Sequence, residues 1–112
     1  MKYHNIKTLY NGLTYDSKKE ARRAYALDVL TMCGRISNLE RQKRFVLQDG
    51  YTNNKGEKIR SIVYIADFVY YDHDKACWIV EDVKSPATRT DVYKLKKKIF
   101  EYKYPEYMFL ES

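Results

Sequence analysis

At 112 residues the chain has room for one domain, residues 1–112, built around a single two-layer core. Its 45% hydrophobic content excludes wholesale disorder, and its longest apolar runs are too short to cross a bilayer. The net charge of +6 favours a polyanionic partner, while two isolated cysteines, Cys33 and Cys77, are too few for a disulfide scaffold or structural zinc. Met1-Lys2-Tyr3-His4 does not open like a signal peptide, so the expectation is a cytoplasmic protein with reduced thiols and no membrane partner.

In chain order, Thr8–Tyr15 carries Asn11-Gly12, the signature of a tight β-hairpin. Asp16 and Ser17 then open a helix, with Ser17-x-x-Glu20 fitting a capping box and Gly34 as the stop. Ile36–Leu39 is extended and leads into a strand over about Gln42–Gln48. Asp49-Gly50 and Asn53-Asn54-Lys55-Gly56 supply turn chemistry for an exposed loop. Ile62–Tyr70 and Trp78–Lys84 read as central strands buried on both faces, joined by a turn at Asp72-His73-Asp74-Lys75. Pro86 and its neighbours break the second strand. A helix over Asp91–Lys103 follows, with Val92, Leu95, Ile99 and Tyr102 as its expected buried stripe, and Tyr107–Leu110 closes the chain as a strand. The order predicts an α/β domain with a mixed sheet: helix, three-stranded antiparallel meander, helix, strand.

Three basic clusters stand out: Lys18, Lys19, Arg22 and Arg23; Arg41, Lys43 and Arg44; and Lys94, Lys96, Lys97 and Lys98. Any one of them is as readily a solvated helix face. Three in so small a domain favour a phosphate backbone.

The sharper signal is acidic. Asp67 lies inside one apolar run, and Asp82 with Lys84 ends the other. A carboxylate buried in a strand costs several kcal/mol, roughly, unless it is paired or metal-bound. Residues two apart share a strand face, so Asp82 and Lys84 point one way and Glu81 and Val83 the other. If the hairpin turns at Asp74-Lys75, Asp67 lies opposite Asp82, with Cβ atoms about 5 Å apart. Two carboxylates so placed suit a Mg²⁺ ion that keeps several waters and reaches a substrate phosphate, with the Lys84 ammonium beside them.

Asp67…Asp82-Val83-Lys84, with an acid on a preceding helix, resembles the PD-(D/E)XK nuclease core of restriction enzymes and several Holliday-junction resolvases. The whole chain is also similar to a family of small phage and prophage proteins of unassigned function. That similarity runs through Lys2-Tyr3-His4-Asn5, Tyr15–Ala21, Tyr64–Phe68, Val80–Lys84 and Tyr93–Lys98. The resemblance implies a restriction-endonuclease-like fold and a Mg²⁺- or Mn²⁺-dependent DNA endonuclease. Asp67, Asp82 and Glu20 would be its metal ligands and Lys84 its catalytic lysine. Ala66 stands where the superfamily has Pro, which supplies no ligand, and Glu81 is left as a supporting residue or an outward charge. The location implied is a bacterial host cell, and the context is phage recombination, replication or packaging, with branched DNA such as a Holliday junction as the leading substrate.

Duller explanations attach to each residue. Glu20 fits the capping box, Asp67 a solvated strand end, and Asp82 with Lys84 a cross-sheet ion pair. Lys94, Lys97 and Lys98 fit phosphate contacts or an ordinary surface. Gly50–Lys58 lacks GxxxxGK[ST], and Asp72-His73-Asp74 reads as a turn. Cutting two strands needs two sites, so a C₂ homodimer is expected. The competing functions are a non-catalytic basic DNA-binding module and an interaction subunit of a phage complex.

Overall fold

In the computed structural model, which describes residues 7–112, Asn11 and Gly12 take φ of 50° and 77°. They join strands β1 (Thr8–Tyr10) and β2 (Leu13–Tyr15) in the hairpin that Asn-Gly predicts. The segment Lys2-Tyr3-His4-Asn5 lies outside the described residues. Helix α1 (Lys18–Met32) starts at Ser17, whose Oγ accepts from Glu20 N at 3.1 Å. It ends at Gly34 in the left-handed region, where Gly34 N donates to Thr31 O and Arg35 N to Leu30 O.

Strand β3 (Ile36–Gln48) is one continuous element of 13 residues, longer than expected. Asn38 and Gln42 both stand at positive φ, 57° and 52°, which bends the strand without ending it. For Gln42 that conformation costs roughly 1–2 kcal/mol, so something must hold it there. The loop that follows contains a two-rung hairpin, β4 (Tyr51–Thr52) and β5 (Lys58–Ile59). Asn53 closes it, its Oδ1 accepting from Lys55 N and Glu57 N.

Strands β6 (Ile62–Asp72) and β7 (Cys77–Asp82) form the central hairpin. Asp72 Oδ1 accepts from Asp74 N and Lys75 N, so Asp72-His73-Asp74 is a turn. A short 3₁₀ turn (Pro86–Thr88), helix α2 (Asp91–Lys103) and strand β8 (Tyr107–Glu111) complete the chain. The main sheet runs β3-β6-β7-β8, with the first three antiparallel and β8 parallel to β7. The architecture is thus mixed α+β, one four-stranded mixed sheet between two helices.

Side-chain alternation along β7 sends Ile79 to a core with Ala21, Ala24 and Leu27 of α1, and Val80 to a second core with Tyr93 and Phe100 of α2. The helices therefore cover opposite faces. On the α2 side Phe45, Tyr64, Phe100, Tyr104 and Phe109 pack ring against ring, with Phe45 and Phe100 centroids 4.9 Å apart.

Of the expected stripe of α2, Ile99 is half-buried against the core, while Val92, Leu95 and Tyr102 are exposed; the fully buried positions are Tyr93 and Phe100. The helix is rotated by about one position because the larger rings bury more area against the aromatic core than the aliphatic set would.

Along β6 the alternation breaks. Tyr64 and Ala66 face the α2 core, whereas Phe68 and Tyr70 face the α1 core. The change of face falls at Asp67, and the neighbouring rungs Arg41↔Phe68 and Lys43↔Ala66 set Gln42 across from it. Because β7 ends at Asp82, residues 62–66 of β6 have β3 on one side and, among the described residues, no strand on the other. Ile62 and Ile65 are consequently exposed rather than buried on both faces.

Candidate active site

The β6–β7 rungs from Asp72↔Cys77 to Phe68↔Glu81 carry the register on to Asp67 opposite Asp82, as the turn position predicted. The two acids are laced through the backbone: Asp67 N donates to Asp82 Oδ1 at 3.0 Å, and Val83 N donates to Asp67 Oδ2 at 2.9 Å. Asp82 is 2% exposed, and its other oxygen accepts from the hydroxyl of buried Tyr64. Strand parity holds after Asp82. Glu81 and Val83 lie on the α1 side, while Asp82 faces Tyr64 and Lys84 faces Tyr93 of α2.

Glu20 reaches this point from the first turn of α1. It is 5% exposed, and its carboxylate turns inward to Gln42 rather than back to Ser17. The Gln42 amide nitrogen donates to Glu20 Oε2 and to Asp67 Oδ1, each at 3.3 Å, so the two acids are at most twice that distance apart. These two hydrogen bonds, to α1 and to β6, help hold Gln42 in its left-handed conformation. Sequence reasoning missed Gln42 because only its positive φ and the β3–β6 register bring it to the acids.

Burial and then the neighbouring Asp82 push the Asp67 carboxyl from 3.8 up to about 7. Burial, followed by nearby Asp16, also raises Glu20, while Arg41 opposes the rise. The site therefore concentrates negative charge that its own cations do not fully offset. Asp67, Glu20 and Lys84 open onto one cavity of about 190 Å³, with Asp16, Lys19 and Thr88 on its walls. Asp82 lies behind it. Lys84 Nζ rests 4.3 Å from the centre of the Tyr93 ring, and Lys19 Nζ donates to Lys84 O at 2.5 Å.

Among the described residues no group of three or more His, Cys, Asp or Glu side chains stands at metal-holding spacing. The donors that face the cavity are nevertheless all hard oxygens. Two carboxylates with water making up the rest are what a small divalent cation such as Mg²⁺ takes, and a cation would offset the burial and the like charge that raise both groups. Asp67 and Glu20 fit that role, with Asp82 as support through Asp67 N.

Glu81 is a structural hub rather than an outward charge. Its carboxylate is fully buried and accepts from Arg23 Nε at 2.5 Å, Arg23 Nη2 at 3.1 Å, Tyr70 Oη at 2.6 Å and Ser112 Oγ at 2.6 Å. The cluster pins α1 to β7 three residues beyond Glu20. Arg23 is thereby occupied by Glu81. Lys18, Lys19 and Arg22 remain exposed on α1, and Lys94 and Lys98 on α2. Lys97 is half-buried, with Nζ 3.8 Å from Glu111 and 5.0 Å from the centre of the Phe109 ring. Arg41 lies over the Tyr15 ring at 4.2 Å.

Among the described residues no helix is long and apolar enough to cross a membrane. The chain has no match among curated proteins or among solved structures. Over residues 1–110 it matches the model of a family described as protein of unknown function, DUF1064, and the chain belongs to that family.

Proposed function

We propose that this protein is a metal-dependent DNA endonuclease with a restriction-endonuclease-like core. One observation carries the reading: Glu20 from α1, Asp67 from β6 and Lys84, two residues past the end of β7, open onto a single cavity, with Asp82 buried beside them. Separate elements do not bring two carboxylates and a lysine together by packing alone, since each buried charge costs several kcal/mol, roughly.

Asp67 and Glu20 would hold Mg²⁺ or Mn²⁺, and Asp82 would fix Asp67 through its backbone N–H. Such an ion, when bound, lowers the pKa of an attacking water and stabilises the departing oxygen of a phosphodiester. Lys84 supplies positive charge for the phosphate from the cavity wall, and Lys19 supplies a second cation at its mouth. Gln42 keeps Glu20 and Asp67 at a fixed separation. Exposed Lys18, Arg22, Lys94 and Lys98 extend the basic surface along which DNA would lie. A domain this small reads shape and backbone better than a long base sequence, which supports branched DNA as substrate and phage recombination, replication or packaging as context. A C₂ homodimer would supply the second site for cutting both strands.

A non-catalytic DNA-binding module is the second reading. It is favoured by the engagement of both Asp82 oxygens and by the position of Lys84 on the Tyr93 ring. One assay separates the two. Labelled four-way-junction, flap, duplex and single-stranded DNA are incubated with Mg²⁺, Mn²⁺ or EDTA, beside Lys84→Ala. Metal-dependent cutting lost in the variant is the expected result. Salt-sensitive binding with no cutting under any metal overturns the nuclease in favour of the binding module.

A further inference from the structure

Lys84 separates two cavities. Across it from the site lies a second one, of about 290 Å³, walled by Tyr64, Ile65, Val92, Tyr93 and Lys96. It exists because β7 stops at Asp82 while β6 continues to Ile62, leaving residues 62–66, among the described residues, without a strand on that side. Helix α2 begins just beyond, and its first turn supplies Val92 and Tyr93.

The wall has two kinds of surface. Ile65 and Val92 are exposed apolar side chains, 50% and 63% accessible among the described residues. Lys84 and Lys96 stand beside them as cations. The carboxylate that also lines the cavity, Asp82, is 2% exposed and bonded to Tyr64 and Asp67 N, so one buried anion is set against the two ammonium groups. A slot with apolar walls on one side and ammonium groups on the other matches a nucleotide: a flat, largely apolar base face joined to an anionic phosphate. The volume is at the lower end of small-molecule pockets, about 300 Å³ and upward, so it suits one base and not a base pair.

We infer that this second cavity takes one unstacked nucleotide next to the phosphate held at Lys84, and so that the preferred substrate has an unpaired base there. Resting on the nuclease reading above, this narrows branched DNA to forks and flaps, whose bases at the branch are free, over a fully paired four-way junction. In an intact duplex the same base would first have to leave its stack, at a cost of a few kcal/mol, roughly.

The test is a binding measurement in EDTA, which reads the cavity without any cutting. The probes are a fluorescein-labelled forked duplex and a fully paired duplex of the same length. A second fork carries single 2-aminopurines at successive positions around the branch. Ile65→Asp places an anion in the slot at an exposed position, and Tyr102→Asp makes the same charge change at the far end of α2, where the side chain is 89% accessible. The expected result is a fork bound at least about fivefold more tightly than the duplex, as one base contact provides. Ile65→Asp erases that preference, Tyr102→Asp leaves it, and one 2-aminopurine position brightens in the wild type and in Tyr102→Asp but not in Ile65→Asp.

Equal affinity for fork and duplex, or equal weakening of both by Ile65→Asp, overturns the inference. A parallel cleavage run with Mg²⁺ keeps the two ideas apart. Preference without cutting supports the nucleotide cavity and sinks the nuclease, whereas cutting without preference does the reverse.

Discussion

Replacing Asp67 by Asn should make the metal-free protein more stable, which is the reverse of the usual effect of altering a buried hydrogen-bonded residue. Burial and the adjacent Asp82 raise the Asp67 carboxyl from 3.8 to about 7. A carboxyl raised in this way binds its proton more tightly in the folded chain than in the unfolded one. Its contribution to stability is therefore fully present below about pH 4 and is lost as pH rises through about 7. A difference of about three pH units, at about 1.4 kcal/mol each, bounds the cost of the ionised group at about 4 kcal/mol. Asn removes the charge and keeps an oxygen for Val83 N, but sets its own NH₂ against the Gln42 amide, forfeiting about 1 kcal/mol. The net expectation is a gain of about 1–3 kcal/mol at pH 8 in EDTA and almost none at pH 4. Urea denaturation of both proteins at the two pH values measures it. Mg²⁺ should then raise the midpoint of the wild type and leave that of Asp67→Asn where it was. A variant no more stable at pH 8, or equally stabilised at pH 4, would refute the account of crowded carboxylates.

Lys84→Ala should reduce metal-dependent cutting at least about 100-fold while changing stability by no more than about 1 kcal/mol, the worth of its contact with Tyr93. Rate assays beside thermal melts check this, and an unfolded variant or an unchanged rate would contradict it. Arg23→Ala leaves the Glu81 carboxylate fully buried with only Tyr70 and Ser112 as partners, which should cost about 3 kcal/mol. Arg23→Lys should restore little, because one ammonium cannot reproduce the two-pronged contact. A melting temperature lowered by less than a few degrees in Arg23→Ala would argue against Glu81 as a hub. Phe100→Ala opens the aromatic core at its centre and should cost about 3–5 kcal/mol, read from the denaturation midpoint.

The central hairpin was legible because two apolar runs flank a turn whose Asp72 can only close one register, and that register alone aligns Asp67 with Asp82. The α1 boundaries were equally plain, since Ser17 and Gly34 act through local backbone chemistry. What sequence could not settle depends on distant packing. Val92, Leu95 and Tyr102 have helical spacing as good as that of Tyr93 and Phe100, and only the rings arriving from β3, β6 and β8 decide between the two faces. Glu81 was ambiguous for the same reason: its partners come from residues 11, 31 and 58 positions away. Arg23 belongs by sequence to a basic cluster, and its engagement with Glu81 becomes visible only once α1 is laid on the sheet.

Ser112 N donates to Asp82 O, Lys84 N donates to Ser112 O, and Ser112 Oγ donates to Glu81, so the segment bearing Asp82 and Lys84 is clamped by a residue far downstream of both. During translation the acids and the lysine emerge well before that clamp. A ribosome paused ahead of β8 would hold a chain that possesses every candidate site residue but lacks the brace aligning them. Assembly of the candidate site is thereby coupled to synthesis of residues 107–112, and a chain halted before them holds its acids and lysine without that brace.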